Sequence, residues 1–279
     1  MTLTEHLREL RRRMFIAALA IVIGAIVGWI FYDQIANVLN RPLTHYAQTA
    51  AAHGHQVSLI LTGVTDPFSL KLSVAFFAGL ILASPVWIYE TWAFVAPGLR
   101  HSERKWTIIF VCAATPLFAA GVALGYWILP KTLDLLLGLS PPGVANLVTV
   151  DAYYSFLLRL MFAFGLAFLV PLFAVGLNAV GILSADRMRR WWRGAVLAVF
   201  VFAAVITPTP DPWNMTLLAT PILVLLLVAY VIARINDRRR ARRRAEAPQW
   251  ADDETSPIDP NPSSLDEPDQ SVDDSGLQR

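Results

Sequence analysis

This chain has few side chains with which to do chemistry. All five histidines, His6, His45, His53, His55 and His101, lie outside its apolar runs. No His-Glu-x-x-His or Gly-x-Ser-x-Gly pattern occurs, so a metal-dependent or serine hydrolase lacks its nucleophile and base. His53 and His55 could ligate a metal from one loop, but such a pair is far more often simply solvated. The single cysteine, Cys112, excludes an intramolecular disulfide and a cysteine metal cluster, and reads as a small core residue. What remains is a set of carboxylates near arginines. Glu5 and Glu9 precede the run Arg11 to Arg13, Glu90 lies near the end of an apolar stretch, and Glu103 sits within Arg100-His-Ser-Glu-Arg-Lys105. These four could approach one another. The ordinary alternative is local pairing, Glu9 with Arg12 or Arg13 one turn on and Glu103 with its neighbours, each worth about 0 to 1 kcal/mol when exposed.

The elements that must position them are membrane helices. The chain has 279 residues, 56% hydrophobic and 16% charged, with a mean hydropathy of +0.50, and crossing a bilayer takes about 20 apolar residues in a helix. Six runs qualify or come close: 14–32, 70–95, 106–129, 153–183, 194–207 and 217–233. The fifth is the shortest, with Trp191 and Trp192 placed to anchor it at an interface. Basic residues test the number of crossings. Arg8 and Arg11 to Arg13 precede the first run; Arg100, Arg104 and Lys105 lie between the second and third; Arg187, Arg189, Arg190 and Arg193 lie between the fourth and fifth. Arg234 and the stretch Arg238 to Arg244 follow the sixth. The alternate loops hold little more than Arg41, Lys71 and Lys131, so six crossings with both ends inside keep every basic cluster on one face. Within the runs the only formal charges are Lys71, Glu90 and Arg159, too few for a proton pump or an ion-coupled carrier.

Finer signals fill in the rest. Leu3, Leu7, Leu10 and Met14 share a helical face, so residues 4–13 read as an amphipathic interfacial helix with Glu9 turned from the lipid. The outer loops 33–69 and 130–152 are expected to carry short helices at 33–40 and 132–139. Asp66 before Pro67 reads as a helix cap, as do Asp151 and Ser184. Pro85, Pro116, Pro171 and Pro221 should kink their helices. Ten of the 21 acidic residues fall between Glu246 and Asp274, and residues 245–279 have a composition that does not order itself. The first apolar run follows Met1 to Arg13 without a distinct cleavage site, so it is expected to stay in place. The domain layout read this way is an N-terminal segment 1–13, a six-helix membrane domain 14–235, and a basic then acidic tail 236–279.

The segment His6-Leu-Arg-Glu-Leu-Arg-Arg-Arg13 resembles the N-terminal signature of the TatC family of twin-arginine protein translocase subunits. Ser84-Pro-Val-Trp-Ile-Tyr-Glu-Thr-Trp-Ala-Phe-Val-Ala-Pro-Gly-Leu99, followed by Glu103-Arg-Lys105, is similar to its long central one. Phe164 to Pro171 and Thr207-Pro-Thr-Pro-Asp211 resemble two further motifs, and the likeness spans residues 4–240. The resemblance implies an all-α, six-helix, cupped glove-like fold in a bacterial inner membrane, with both termini cytoplasmic. It implies no enzyme activity and no cofactor. It assigns Glu9 and Glu103 to binding the paired arginines of a signal peptide; Glu90, outside the family pattern, is expected from its position to extend the acidic site. Arg11, Pro85, Trp92, Phe94, Pro97, Leu169 and Asp211 take structural or partner-docking roles. TatA- and TatB-type single-span proteins are the implied partners, and the proton motive force the implied energy source. A guanidinium forks onto a carboxylate where lysine offers a point charge, which accounts for arginine selectivity.

Two positions depart from the family pattern. Leu169 stands where a membrane-buried glutamate is usual, which bears on partner recruitment or later transport steps, and Glu90 stands where glutamine is usual. Arg159, in the fourth run, is also unusual. The competing class, a small-solute transporter or channel, needs a polar path among the helices, and the scarcity of charge in the runs argues against it.

Overall fold

The computed structural model describes residues 3–52, 57–95, 104–138, 146–206 and 212–246. One compact unit spans Met1–Arg238; the other, Arg239–Arg279, is described only where it forms the end of the last helix. In chain order the elements are α1 (Leu3–Ile30), α2 (Tyr32–Ala52), β1 (Val57–Ile60), α3 (Asp66–Leu82), α4 (Ser84–Val95) and α5 (Arg104–Gly138). There follow β2 (Asn146–Thr149), α6 (Val150–Val180), α7 (Ala185–Ile206) and α8 (Pro212–Glu246).

Each of the six apolar runs lies on this helical frame. Among the described residues four helices, within α1, α5, α6 and α8, are long and apolar enough to cross a membrane. The second run is split between α3 and α4, which are bent by 59° to one another and are apolar enough only when taken together. The bend falls at Ala83, just before Pro85, whose missing N–H cannot continue the helical ladder. The Trp87 indole instead donates to the Leu80 carbonyl at 2.9 Å. α7 carries the short fifth run after four arginines, Arg187, Arg189, Arg190 and Arg193, and these keep it from passing the same test. The other prolines lie inside continuous helices: α5 and α6 run through Pro116 and Pro171, and α8 through Pro221. Thr115 and Thr220, each just before a proline, donate to the carbonyls of Val111 and Thr216.

Small residues let the helices approach closely, a substitute for the hydrophobic drive that lipid removes. A Cβ added at Gly79 of α3 would lie 2.6 Å from the Ile21 carbonyl and the Ala25 nitrogen of α1. One at Gly121 of α5 would lie 2.5 Å from the Phe164 carbonyl of α6. Buried Phe118, Leu157, Leu160 and Phe164 fill the α5–α6 part of the core.

Outside the spans the structure is more regular than the sequence suggests. The piece read at 33–40 is the start of α2, a 21-residue helix that buries Ala36, Leu39, Leu43 and Tyr46 along one face. Pro42 cannot donate to the Val38 carbonyl, and the Tyr126 hydroxyl does so instead at 2.8 Å. Tyr153 and Tyr154 donate to the Leu39 carbonyl and to Asn40 Oδ1 at 2.7 and 2.9 Å. Three tyrosines of the long helices thus hold α2. The piece read at 132–139 is no separate helix but the end of α5, which passes Pro130 to reach Gly138. β1 and β2 join the two outer loops as a parallel pair, Val57 opposite Asn146 and Ile60 opposite Thr149.

The capping expectations are partly corrected. Asp66 is the first helical residue of α3 and caps nothing in it; its carboxylate turns back to accept from the backbone N–H groups of Thr62 and Gly63, at 3.0 and 2.7 Å. Thr149, not Asp151, caps α6 by accepting from the Ala152 N–H. Ser184 does cap α7, its hydroxyl accepting from the Arg187 N–H. Cys112 is exposed on α5 and not a core residue.

Candidate cation-binding cleft

The segment read as a separate interfacial helix is the first part of α1, continuous with the membrane run. That continuity fixes where its side chains point. α1 and α4 pack in opposite directions, so the start of one meets the end of the other. The His6 ring stacks on Phe94 with centroids 4.6 Å apart. Further along, Glu9 and Arg13, one turn apart on α1, face Glu90, one turn before Phe94 on α4.

Arg13 joins the two carboxylates. Its Nε and Nη2 donate to Glu9 Oε1 at 3.0 and 2.6 Å, and its Nη1 donates to Glu90 Oε2 at 2.9 Å. The local pairing of Glu9 with Arg13 is therefore present, and a residue 77 positions away joins it. Side-chain exposure is 11% for Glu90, 23% for Arg13 and 28% for Glu9, so the cluster is partly desolvated, unlike a surface pair. Glu9, Arg12, Arg13, Ile16, Tyr89 and Glu90 line a cleft of about 260 Å³. Arg13 uses one oxygen of each carboxylate, which leaves Glu9 Oε2 and Glu90 Oε1 as acceptors it does not engage. The arrangement can hold a guanidinium by charge-assisted hydrogen bonds.

The other residues singled out from the sequence are dispersed. Arg11 and Pro85 are exposed, Trp92 and Leu169 are buried, and Phe94 is half-buried against His6. Trp92 stacks on Phe110 at 3.9 Å and meets Phe173 edge-on, and its buried indole nitrogen has no hydrogen-bond partner among the described residues. Lys71 stands over Trp29 and Tyr32, consistent with a snorkelling lysine. Arg159 is exposed. Glu103, Pro97 and Asp211 lie outside the described residues, as does the tail from residue 247. Among the described residues no group of three His, Cys, Asp or Glu side chains could hold a metal ion.

Sequence reading missed a second polar cluster. Asn178, near the end of α6, donates to the Leu183 carbonyl and to Asp237 Oδ1 at 2.8 and 2.9 Å and accepts from Asn236 at 3.0 Å. Asp237 Oδ2 accepts from the Ala185 N–H at 2.7 Å. An aspartate of α8 so caps the start of α7. Its position beside Arg238 to Arg240 makes it look like part of a solvated charge run, and only a polar Asn178 within an apolar stretch hinted otherwise.

Fold and cleft together define a helical, multi-pass membrane protein whose ionic chemistry is gathered where α1 begins and α4 ends. Residues 5–221 match the family model described as Sec-independent protein translocase protein (TatC). The chain belongs to the TatC family and is a component of the twin-arginine translocase, not an enzyme. It is 42% identical over 247 residues to the Sec-independent protein translocase protein TatC of Xylanimonas cellulosilytica, covering 88% of each chain. It is 40% identical to that of Frankia casuarinae, covering 93% of this chain and 73% of the relative. A crystal structure of a twin-arginine translocase receptor, TatC, matches with a TM-score of 0.69 at 30% identity, over 84% of this chain and 100% of the other. The TatC-type fold expected from the sequence is thereby established.

Proposed function

We propose that this chain is the signal-reading subunit of its translocase: it binds the paired arginines of twin-arginine signal peptides through Glu9 and Glu103, with Glu90 adding to the same acidic site. In this reading it also scaffolds TatA- and TatB-type partners for export of folded proteins driven by the proton motive force. Both termini and the α1–α4 cleft face the cytoplasm, in a bacterial inner membrane. Residues 1–13 lead into the membrane domain 14–235, and 236–279 form the cytoplasmic tail. The placement of Arg11, Arg12 and Arg13 at the start of α1 and of Arg187 to Arg193 at the start of α7 supports that orientation.

The observation that carries the reading is the Arg13 contact. Two carboxylates from helices distant in sequence converge on one guanidinium at 2.6–3.0 Å in a partly desolvated cleft, the geometry an arginine ligand needs. Truncating one partner of such a pair costs about 2 to 5 kcal/mol, against under about 1 for an exposed one. The test is photo-crosslinking of a signal peptide to the segment joining α4 and α5 in the full-length membrane protein. The Arg-Arg peptide should crosslink, and a Lys-Lys peptide or a Glu9→Ala or Glu103→Ala protein should not. Equal crosslinking in every case would overturn the reading.

A further inference from the structure

The site is not empty of guanidinium: the chain supplies its own. Arg13 makes two hydrogen bonds to Glu9 and one to Glu90, and its neighbour Arg12 lines the same cleft, so two adjacent arginines stand where a peptide's arginine pair would be read. Resting on the receptor reading above, we infer that Arg13 is an internal competitor which sets the affinity threshold of the site by occupying the Glu9 and Glu90 carboxylates until an incoming arginine replaces it.

The argument is one of exchange. With Arg13 in place the two carboxylates are already partly neutralised, so a peptide cation does not meet bare, costly anions. It must take over contacts that a planar fork now makes. An arginine can reproduce all three, and the exchange is close to balanced. A lysine ammonium is a single point donor and cannot, so the exchange loses hydrogen bonds. Displacing Arg13 subtracts the same free energy from every peptide that takes its place, so it lowers both affinities without changing their ratio, and only the better-bonded arginine peptide stays bound at low concentration. Glu9 Oε2 and Glu90 Oε1, which Arg13 does not use, give an incoming guanidinium a first foothold before Arg13 lets go.

The experiment measures binding of fluorescent Arg-Arg and Lys-Lys signal peptides to the full-length protein in lipid nanodiscs, comparing wild type with Arg13→Gln, Arg13→Lys, Glu90→Gln and Arg13→Gln/Glu90→Gln. Arg13→Gln should bind Arg-Arg and Lys-Lys peptides each about tenfold tighter, a change of about 1.4 kcal/mol, with the ratio between them kept. Glu90→Gln should weaken Arg-Arg binding more in the Arg13→Gln background than in wild type, because only there is the carboxylate free of its internal partner. Unchanged or weaker Arg-Arg binding by Arg13→Gln, in protein that melts like wild type, would make Arg13 a mere tie between α1 and α4 and overturn the inference. If Arg13→Gln does not fold, Arg13→Lys carries the same test with the charge retained and the fork removed: tighter binding supports the inference, equal or weaker binding overturns it. A wild type with no preference for Arg-Arg would instead refute the receptor reading and the inference with it.

Discussion

The cluster around Asn178 allows the most direct test of how the helices are tied together. Asn178→Ala removes two donated hydrogen bonds, to Leu183 and Asp237, and one accepted from Asn236. The neutral bonds are each worth about 1 kcal/mol and the one to the Asp237 carboxylate about 1.5 to 3, because a buried ionised acceptor loses more when its donor goes. With Asn178 at 1% exposure, water does not readily replace them, and the expected loss is about 3 to 5 kcal/mol. On the scale of about 2 to 4 °C per kcal/mol for domains of this size, the melting temperature should fall by roughly 6 to 20 °C. Intrinsic tryptophan fluorescence during thermal unfolding in detergent is a suitable assay, since Trp191 and Trp192 sit on α7, whose first N–H the cluster caps. Asn178→Leu, which keeps the branching at Cγ but not the polar atoms, should fall at least nearly as far, since no apolar side chain can replace these hydrogen bonds. A melting temperature within about 2 °C of wild type for both variants would refute the claim that this cluster anchors α7 and α8 to α6.

Two further substitutions probe packing. Gly176→Ala should cost about 1 to 3 kcal/mol, read as a lower melting temperature, because the new Cβ would overlap the Trp92 ring, which is itself stacked on Phe110 and has no room to retreat. Tyr126→Phe should cost about 1 kcal/mol by leaving the Val38 carbonyl without a donor. Its effect should shrink in a Pro42→Ala background, where the helix can supply the missing N–H itself; equal losses in both backgrounds would show that the hydroxyl contributes otherwise.

How much of the fold could be read in advance depended on the range of the force involved. Apolar run length is a local property, and all six runs fall on helices, with the break at Pro85 where the ladder lacks a donor. The length of α2 is not a local property: it is held by tyrosines on α5 and α6, and no periodicity within 33–52 announces them. The paired strands β1 and β2, 89 positions apart at Val57 and Asn146, carry no local signal either.

The candidate site divides in the same way. That Glu9 would meet Arg13 followed from helical spacing alone, since residues four apart share a face. That Glu90 would complete the cluster did not, because it required α4 to fold back against the start of α1 after a 59° turn. Asp237 is the sharper case. Surrounded in the chain by arginines, it looks solvated, yet it caps a helix that begins 52 residues earlier. Charge and hydrophobicity, summed along the chain, determine that this protein is a membrane protein and where its helices run, because the bilayer acts on every residue by its own polarity. Which carboxylate meets which guanidinium is decided only when helices pack, because hydrogen bonds act over about 3 Å and depend on partners that chain distance does not bring together.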